Sequence, residues 1–203
     1  MTSPDVALPG RRFPFGATVR DGGTNFAVAA ADADGMVLSL FDGDGGETQV
    51  PLLDYDAGVW HGFVPGVGGG QAYGYRATGR YDPGAGLRFN PAKLLLDPYA
   101  RALHGAVRFG PEILGHAAGD PDTPSPLDSA AYVPRSLVVA DDGSRRSDAP
   151  RPWHAYADTV IYEVHVKGFT MRHPGVPAQL RGTCAGLGHE AAIEHLVDRR
   201  DHG

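Results

Sequence analysis

With 203 residues the chain has room for one large domain, or for one ordinary domain and a further piece. Hydrophobic residues make up 42%, which excludes global disorder, and 29 glycines with 17 prolines exclude a helical bundle. A net charge of −6 leaves no electrostatic footprint for nucleic acid, and the single cysteine, Cys184, excludes an internal disulfide framework and most thiolate metal sites.

The N-terminal stretch MTSPDVALPGRRFPFG has no apolar signal region. No later run approaches the roughly 20 apolar residues that span a bilayer. The expectation is a soluble, cytoplasmic protein with no membrane partner. From Gly16 to Ala77 short alternating runs follow one another: TNFAVAA, MVLSLF, TQVPLL, VWHGFV and QAYGYRA. Asp-Gly and Gly-rich turns separate them roughly every ten residues, the pattern of an antiparallel β-sandwich. Trp60, Phe26, Leu38, Leu40, Tyr73 and Tyr75 are the expected core.

Residues 81–103, YDPGAGLRFNPAKLLLDPYARAL, read as an ordered connecting segment with KLLLD as an apolar anchor. Residues 104–157 are rich in Pro, Asp, Ser and Gly and read as linker, with one brief strand candidate at SLVVA. DTVIYEVHVKGFT, residues 158–170, alternates like a strand, with Val160, Tyr162, Val164 and Val166 on one face. PGVPAQLRG then suggests a one-turn helix, and EAAIEHLVD an amphipathic helix with Ala192, Ile193, Leu196 and Val197 at helical spacing. The expected division is 1–103 for the sandwich, 104–157 for the linker and 158–203 for a strand and helix that begin another domain.

Asp32, Asp34, Asp42 and Asp44 crowd near glycines, but their spacing fits hairpin turns better than a calcium loop. The nine histidines are scattered, with no HExxH, so no metal site is expected. Cys184 near His189 and His195 lacks any mark of an oxyanion hole, which favours an inert thiol over a nucleophile. Glu163, His165 and Lys167 share one face of the 158–170 strand; polar packing inside a barrel is a stronger reading than catalysis. Exposed aromatics on a sandwich can stack on sugar rings, and the candidates are Trp60, Tyr73, Tyr75 and Tyr81. A mid-strand position gives Trp60 and Tyr75 a competing core role.

Several stretches together, PFGATV, GGTNFAV, LSLFD, VWHGFVPGV, GQAYGYRATGRYDP and LRFNPAKLLLDPYARAL, resemble the N-terminal region of isoamylase-type glycogen debranching enzymes. DTVIYEVHVKGFTMRHPGVPAQLRGT and GLGHEAAIEHL are similar to the first barrel strand and helix of the same proteins. The resemblance implies a mainly β fold: an immunoglobulin-like, isoamylase-type carbohydrate-binding module, then a linker, then the start of a truncated (β/α)8 barrel. It also implies hydrolysis of α-1,6 branch linkages in glycogen or related branched α-glucans with retention, by a carboxyl pair about 5 Å apart. No cofactor is implied.

The family's catalytic Asp and Glu lie on later barrel strands, and none of those motifs occurs here, so no catalytic residue is carried over. Glu163 falls on the first strand, where the resemblance implies a structural role. Cys184 stands where the family commonly has an aromatic, and Glu190 where it commonly has Pro. After EHLVD the chain reads RRDHG in place of an apolar second strand, which points to an interrupted reading frame. The chain alone is therefore expected to lack turnover. The alternatives are a non-catalytic α-glucan-binding sandwich or an inactive structural remnant.

Overall fold

Alternation is what makes the first half of this chain a pair of sheets: successive strand side chains point to opposite faces, so an apolar residue at every second position builds one dry face. In the computed structural model, which describes residues 6–140, 153 and 155–198, the chain divides into two units, Met1–Ser147 and Asp148–Gly203. The strands of the first are β1 (Gly16–Arg20), β2 (Gly23–Ala29), β3 (Gly35–Phe41), β4 (Glu47–Leu52), β5 (Asp54–Asp56), β6 (Val59–Pro65) and β7 (Ala72–Thr78). They are followed by β8 (Tyr81–Asp82), β9 (Leu87–Arg88), β10 (Ala102–His104), β11 (His116–Ala117), β12 (Asp120–Pro124) and β13 (Arg135–Leu137).

One antiparallel sheet has the order β1-β2-β6-β5, the other β10-β13-β7-β3-β4. Phe26 and Val28 from β2 meet Leu38 and Leu40 from β3 and Tyr73 and Tyr75 from β7 in one buried cluster. The Phe26 and Tyr73 rings pack edge-on, 5.1 Å between centroids. Burying a side chain of this size contributes about 1.5–3 kcal/mol. The five alternating runs named from the sequence coincide with β2, β3, β4, β6 and β7.

The N-terminal segment is strapped across the edge of the first sheet. Leu8 and Phe63 exchange both backbone hydrogen bonds at 2.8 Å. The buried Asn25 side chain accepts from Arg11 N at 2.7 Å and donates to Arg11 O at 2.8 Å, imitating a strand neighbour.

Residues 104–140 fall in the first unit and carry short strands of their own, the last of them overlapping SLVVA. β13 inserts between β10 and β7, and β11 and β12 form a hairpin of their own. Side chains rather than apolar periodicity hold this excursion. Lys93 Nζ donates to Glu112 O (2.8 Å), Leu127 O (2.6 Å) and Ser125 Oγ (3.3 Å), and Asn90 Nδ2 donates to Gly115 O (3.1 Å) and Ser125 O (2.9 Å). Gly74 lets the preceding segment lie close: a Cβ there would meet Leu94 Cδ1 at 2.7 Å, while Leu95 pairs with Tyr75 through both backbone groups.

The second unit carries α1 (Val166–Met171), α2 (Cys184–Leu187) and α3 (Glu190–Asp198). α3 occupies the expected EAAIEHLVD. Residues 177–183 form consecutive turns rather than a helix. The strand expected over 158–170 is also corrected: residues 159–165 pair with no strand among the described residues, and residues 166–171 are helical, with His165 Nδ1 accepting from Gly168 N. A strand is held by its ladder, and without a partner the local preference of VKGFTM for a capped turn prevails. The RRDHG terminus lies outside the described residues.

Candidate functional site

Two surfaces of the sandwich unit can meet a ligand. The larger is a groove of about 680 Å3 at one end of the five-stranded sheet. Because Leu38 and Leu40 face the core, Phe41 at the end of β3 faces the opposite way. The Arg135 guanidinium, from β13, lies 3.8 Å over the Phe41 ring. His104, Gln71, Leu137 and the β3–β4 turn Asp42–Gly45 complete the wall. Asp42 is occupied by its own turn, its Oδ1 accepting from Asp44 N at 3.0 Å and Gly46 N at 2.6 Å, which accounts for these carboxylates as turn chemistry. Among the described residues no group of three or more His, Cys, Asp or Glu side chains could hold a metal ion. Donors and acceptors of both signs around a half-apolar floor suit a neutral polyol better than an ion.

The smaller surface is aromatic. β5 pairs with β6 so that Tyr55 lies opposite Trp60, ring centroids 4.9 Å apart and planes inclined at 50°. Tyr55 is 49% exposed; Trp60 is half-buried against the core and donates from Nε1 to Ala30 O at 3.1 Å.

The four aromatics proposed from the sequence are thereby separated. Tyr73 and Tyr75 are fully buried, which corrects any sugar-stacking role for them: neither ring can meet a ligand while the core is closed. Tyr81 is half-buried, its hydroxyl donating to Pro121 O at 3.2 Å and so tethering the β11–β12 hairpin. Trp60 alone of the four keeps a position beside an exposed ring. Tyr55, Arg135 and His104 carried no sequence signal, because cross-strand register, not spacing, brings them to these surfaces.

Glu163, His165 and Lys167 do not assemble into a constellation. Each is exposed, and His165 is spent on capping α1. Cys184 is exposed at the start of α2. No described helix is long and apolar enough to cross a membrane.

Residues 14–100 match the carbohydrate-binding module 48 family, described as the isoamylase N-terminal domain. Over nearly its whole length the chain is also similar to proteins named for glycogen metabolism. It is 44% identical over 197 residues to a glycogen operon protein GlgX homologue of Mycobacterium tuberculosis, covering 93% of this chain and 26% of the relative. It is 45% identical over 189 residues to a glycogen debranching enzyme of Erwinia tasmaniensis, covering 92% of this chain and 28% of that enzyme. The chain thus spans little more than a quarter of these relatives.

The chain is similar in fold to parts of solved pullulanases. One from Klebsiella pneumoniae superposes with a TM-score of 0.61 at 22% identity, over 92% of this chain and 18% of the other. Another, from Anoxybacillus and complexed with maltotetraose, gives 0.56 at 22% identity, over 93% and 22%.

Proposed function

We propose that this chain is the glucan-recognition portion of a cytoplasmic enzyme that hydrolyses α-1,6 branch linkages in glycogen or related α-glucans. The observation that carries the reading is the continuous similarity to proteins named glycogen debranching enzymes over more than nine-tenths of the chain, with a match to a carbohydrate-binding module in its N-terminal half. Retaining hydrolysis needs a nucleophile and an acid/base carboxyl about 5–5.5 Å apart, each on a rigid strand end. In this reading that pair belongs to polypeptide outside the chain. The second unit, with α3, is in this reading the start of the barrel, whose strands ladder only when their neighbours are present. The groove lined by Arg135, Phe41 and His104 is the glucan contact of the sandwich, with the guanidinium and imidazole donating to sugar hydroxyls.

Co-sedimentation with glycogen and a reducing-sugar assay on a branched α-glucan test this together. The chain is expected to pellet with glycogen and release no reducing sugar. The double variant R135A/H104A is expected to weaken co-sedimentation roughly tenfold, a loss of two hydrogen-bonding contacts. Failure of the unaltered chain to pellet, or turnover by it, overturns the proposal.

A further inference from the structure

The three helices of the second unit begin on side-chain caps of two kinds. Thr183 opens α2 in the ordinary manner, its Oγ1 accepting from Gly186 N at 3.1 Å. α1 and α3 begin on imidazoles instead. His165 Nδ1 accepts from the N–H of Gly168, the third residue of α1, at 3.1 Å. His189 O accepts from Ala192 N at 2.9 Å and Ile193 N at 3.0 Å, which makes it the cap of α3, and its Nδ1 accepts from Ala191 N at 3.3 Å. A cap supplies an acceptor to an N–H that the helix leaves unpaired, and Asn, Asp, Ser and Thr are the usual residues for it. An imidazole takes that role only through a ring nitrogen that carries no hydrogen.

A proton reverses both contacts. On Nδ1 it turns the acceptor into a donor facing another donor, and it sets positive charge at the positive end of the helix dipole. Histidine is the side chain whose charge changes between about pH 5 and 8. The five ion pairs among the described residues all lie in the sandwich unit, so Glu163 ahead of α1 and Glu190, Glu194 and Asp198 on α3 pair with no imidazole. Glu190, at the first position of α3, softens the added charge without restoring an acceptor. The nearby cations are Lys167 on α1 and Arg172 and Arg181 in the turns, the last donating to Val176 O and Pro174 O. His173 and His195 lie edge-on with ring centroids 6.5 Å apart, and the buried His173 Nδ1 has no partner among the described residues, so a proton there is also unsupported. His195 stands in the last turn of α3, where a cation is favoured. We propose that His165 and His189 are a pair of proton-sensitive caps, through which acid releases α1 and α3 while the Thr183 cap of α2 is untouched. The folded helices hold unprotonated rings and the opened chain accepts either form, so stability is complete above the histidine range and is lost as the pH falls through it.

Hydrogen exchange of the chain at pH 7.5 and pH 5, corrected for the intrinsic pH dependence of exchange, reads the effect helix by helix. Protection of residues 166–171 and 190–198 is expected to fall roughly tenfold, the worth of one cap and one unfavourable dipole contact in each helix. H165N/H189N keeps an acceptor at both caps and cannot titrate there. It is expected to fall no more than about threefold, the remainder coming from His173. Nitrogen-15 spectra of the parent give a measurement independent of any variant: at pH 7.5 both rings are expected to carry their hydrogen on Nε2. A hydrogen on Nδ1 at that pH overturns the proposal, as does unchanged protection in the parent or an equal fall in parent and H165N/H189N. Where the variant does not hold its helices at pH 7.5, the parent decides. Protonation of the two rings must then coincide with the loss of protection, and a separation of more than about one pH unit overturns the proposal.

Discussion

Tyr73 and Tyr75 lie two residues apart on β7 with their rings 5.9 Å apart and edge-on, yet only one hydroxyl is satisfied. Tyr73 Oη donates to Asp97 Oδ2 at 2.7 Å, whereas the buried Tyr75 Oη lies near the same carboxylate without a hydrogen bond of good geometry. Burial, followed by the negative charge of Asp97, pushes both phenols well above their ordinary range. A buried hydroxyl without a partner costs about 1–3 kcal/mol of desolvation, while a satisfied one contributes about 1 kcal/mol. Tyr75→Phe is therefore expected to be neutral or stabilising by about 1 kcal/mol, and Tyr73→Phe destabilising by a similar amount. Urea unfolding of the two variants checks this, and equal losses in both would contradict it.

Asp97 itself is 4% exposed and accepts from Tyr99 N at 2.8 Å as well as from Tyr73. Burial raises its carboxyl above the ordinary range, against the lowering effect of these hydrogen bonds. A raised carboxyl favours the fold in its protonated form. Its contribution is complete below the ordinary value near pH ~3.9 and is lost as the pH rises through the raised one. Asp97→Asn has no such loss. The Tyr73 hydroxyl can turn to accept from the new amide, so the variant is expected within about 1 kcal/mol of the parent at neutral pH. Asp97→Ala strands two donors and is expected to cost about 2–4 kcal/mol. Equal damage from both substitutions in chemical unfolding at pH 7 would refute this account.

The legible part of the fold was the part written in period two. β2, β3, β6 and β7 each place apolar residues at alternate positions, and each was recognisable for that reason. β1 alternates only over Ala17 and Val19, too few positions to stand out, and β5 is only Asp54-Tyr55-Asp56, so neither announced itself. The excursion 104–140 looked like linker because its composition is that of loops; Lys93 and Asn90, distant in sequence, order residues 112–127, and the β13 ladder with Val138 in the core orders the rest. The aromatic candidates illustrate the same limit. Which of Trp60, Tyr73, Tyr75 and Tyr81 reaches the surface depends on strand face and on what covers it, and Tyr55 gains interest only through its register with Trp60. In the second unit, alternation over 158–170 suggested a strand, but a strand's stability lies in partners the segment does not itself encode.

Arg76 is buried and holds Glu47 through Nε and Nη2, both at 2.7 Å, with Asp128 and Pro91 O as further partners. Burial alone would raise the Glu47 carboxyl; hydrogen bonds from Arg76, Ser39 and Gln49 outweigh it and bring the group down to about 2. A depressed carboxyl contributes stability that is complete above its ordinary value near pH ~4.3 and lost as the pH falls toward 2. Glu47→Gln is expected to lower stability by about 1–3 kcal/mol at neutral pH. Thermal melts from pH 5 to pH 2 should show a steeper fall for the parent than for the variant. Parallel curves would rule out Glu47 as a source of acid sensitivity.

Residues 160–165 should be open to exchange. Val160 is 92% and Ile161 83% exposed, and the segment has no ladder among the described residues. Amides without a hydrogen-bond partner exchange near the unprotected rate, while those of β3 and β7 exchange only through large-scale opening. Hydrogen exchange of the chain is expected to label 160–165 at the earliest times and the two central strands last. Protection at 160–165 equal to that of β7 would show that the segment has found a strand partner.

Lys93 offers the sharpest test of what orders the 104–129 excursion. Its ammonium is buried and meets only neutral oxygens at hydrogen-bond distance, from Glu112, Ser125 and Leu127, so burial draws its pKa down while Asp128 and Glu112 pull it back up. Hydrogen bonds to a charged group contribute about 1.5–3 kcal/mol each when buried. Lys93→Met keeps the apolar stem and removes the three donors. It is expected to destabilise the chain by about 2–4 kcal/mol, and limited proteolysis is expected to shift its first cleavage into residues 105–129 while β2, β3 and β7 remain protected. The asymmetry is the point of the measurement, since the lysine anchors a covering segment and the apolar cluster between the sheets does not depend on it. Uniform loss of protection across the sandwich would place Lys93 in the core instead, and unchanged cleavage would show that Asn90 alone holds the excursion.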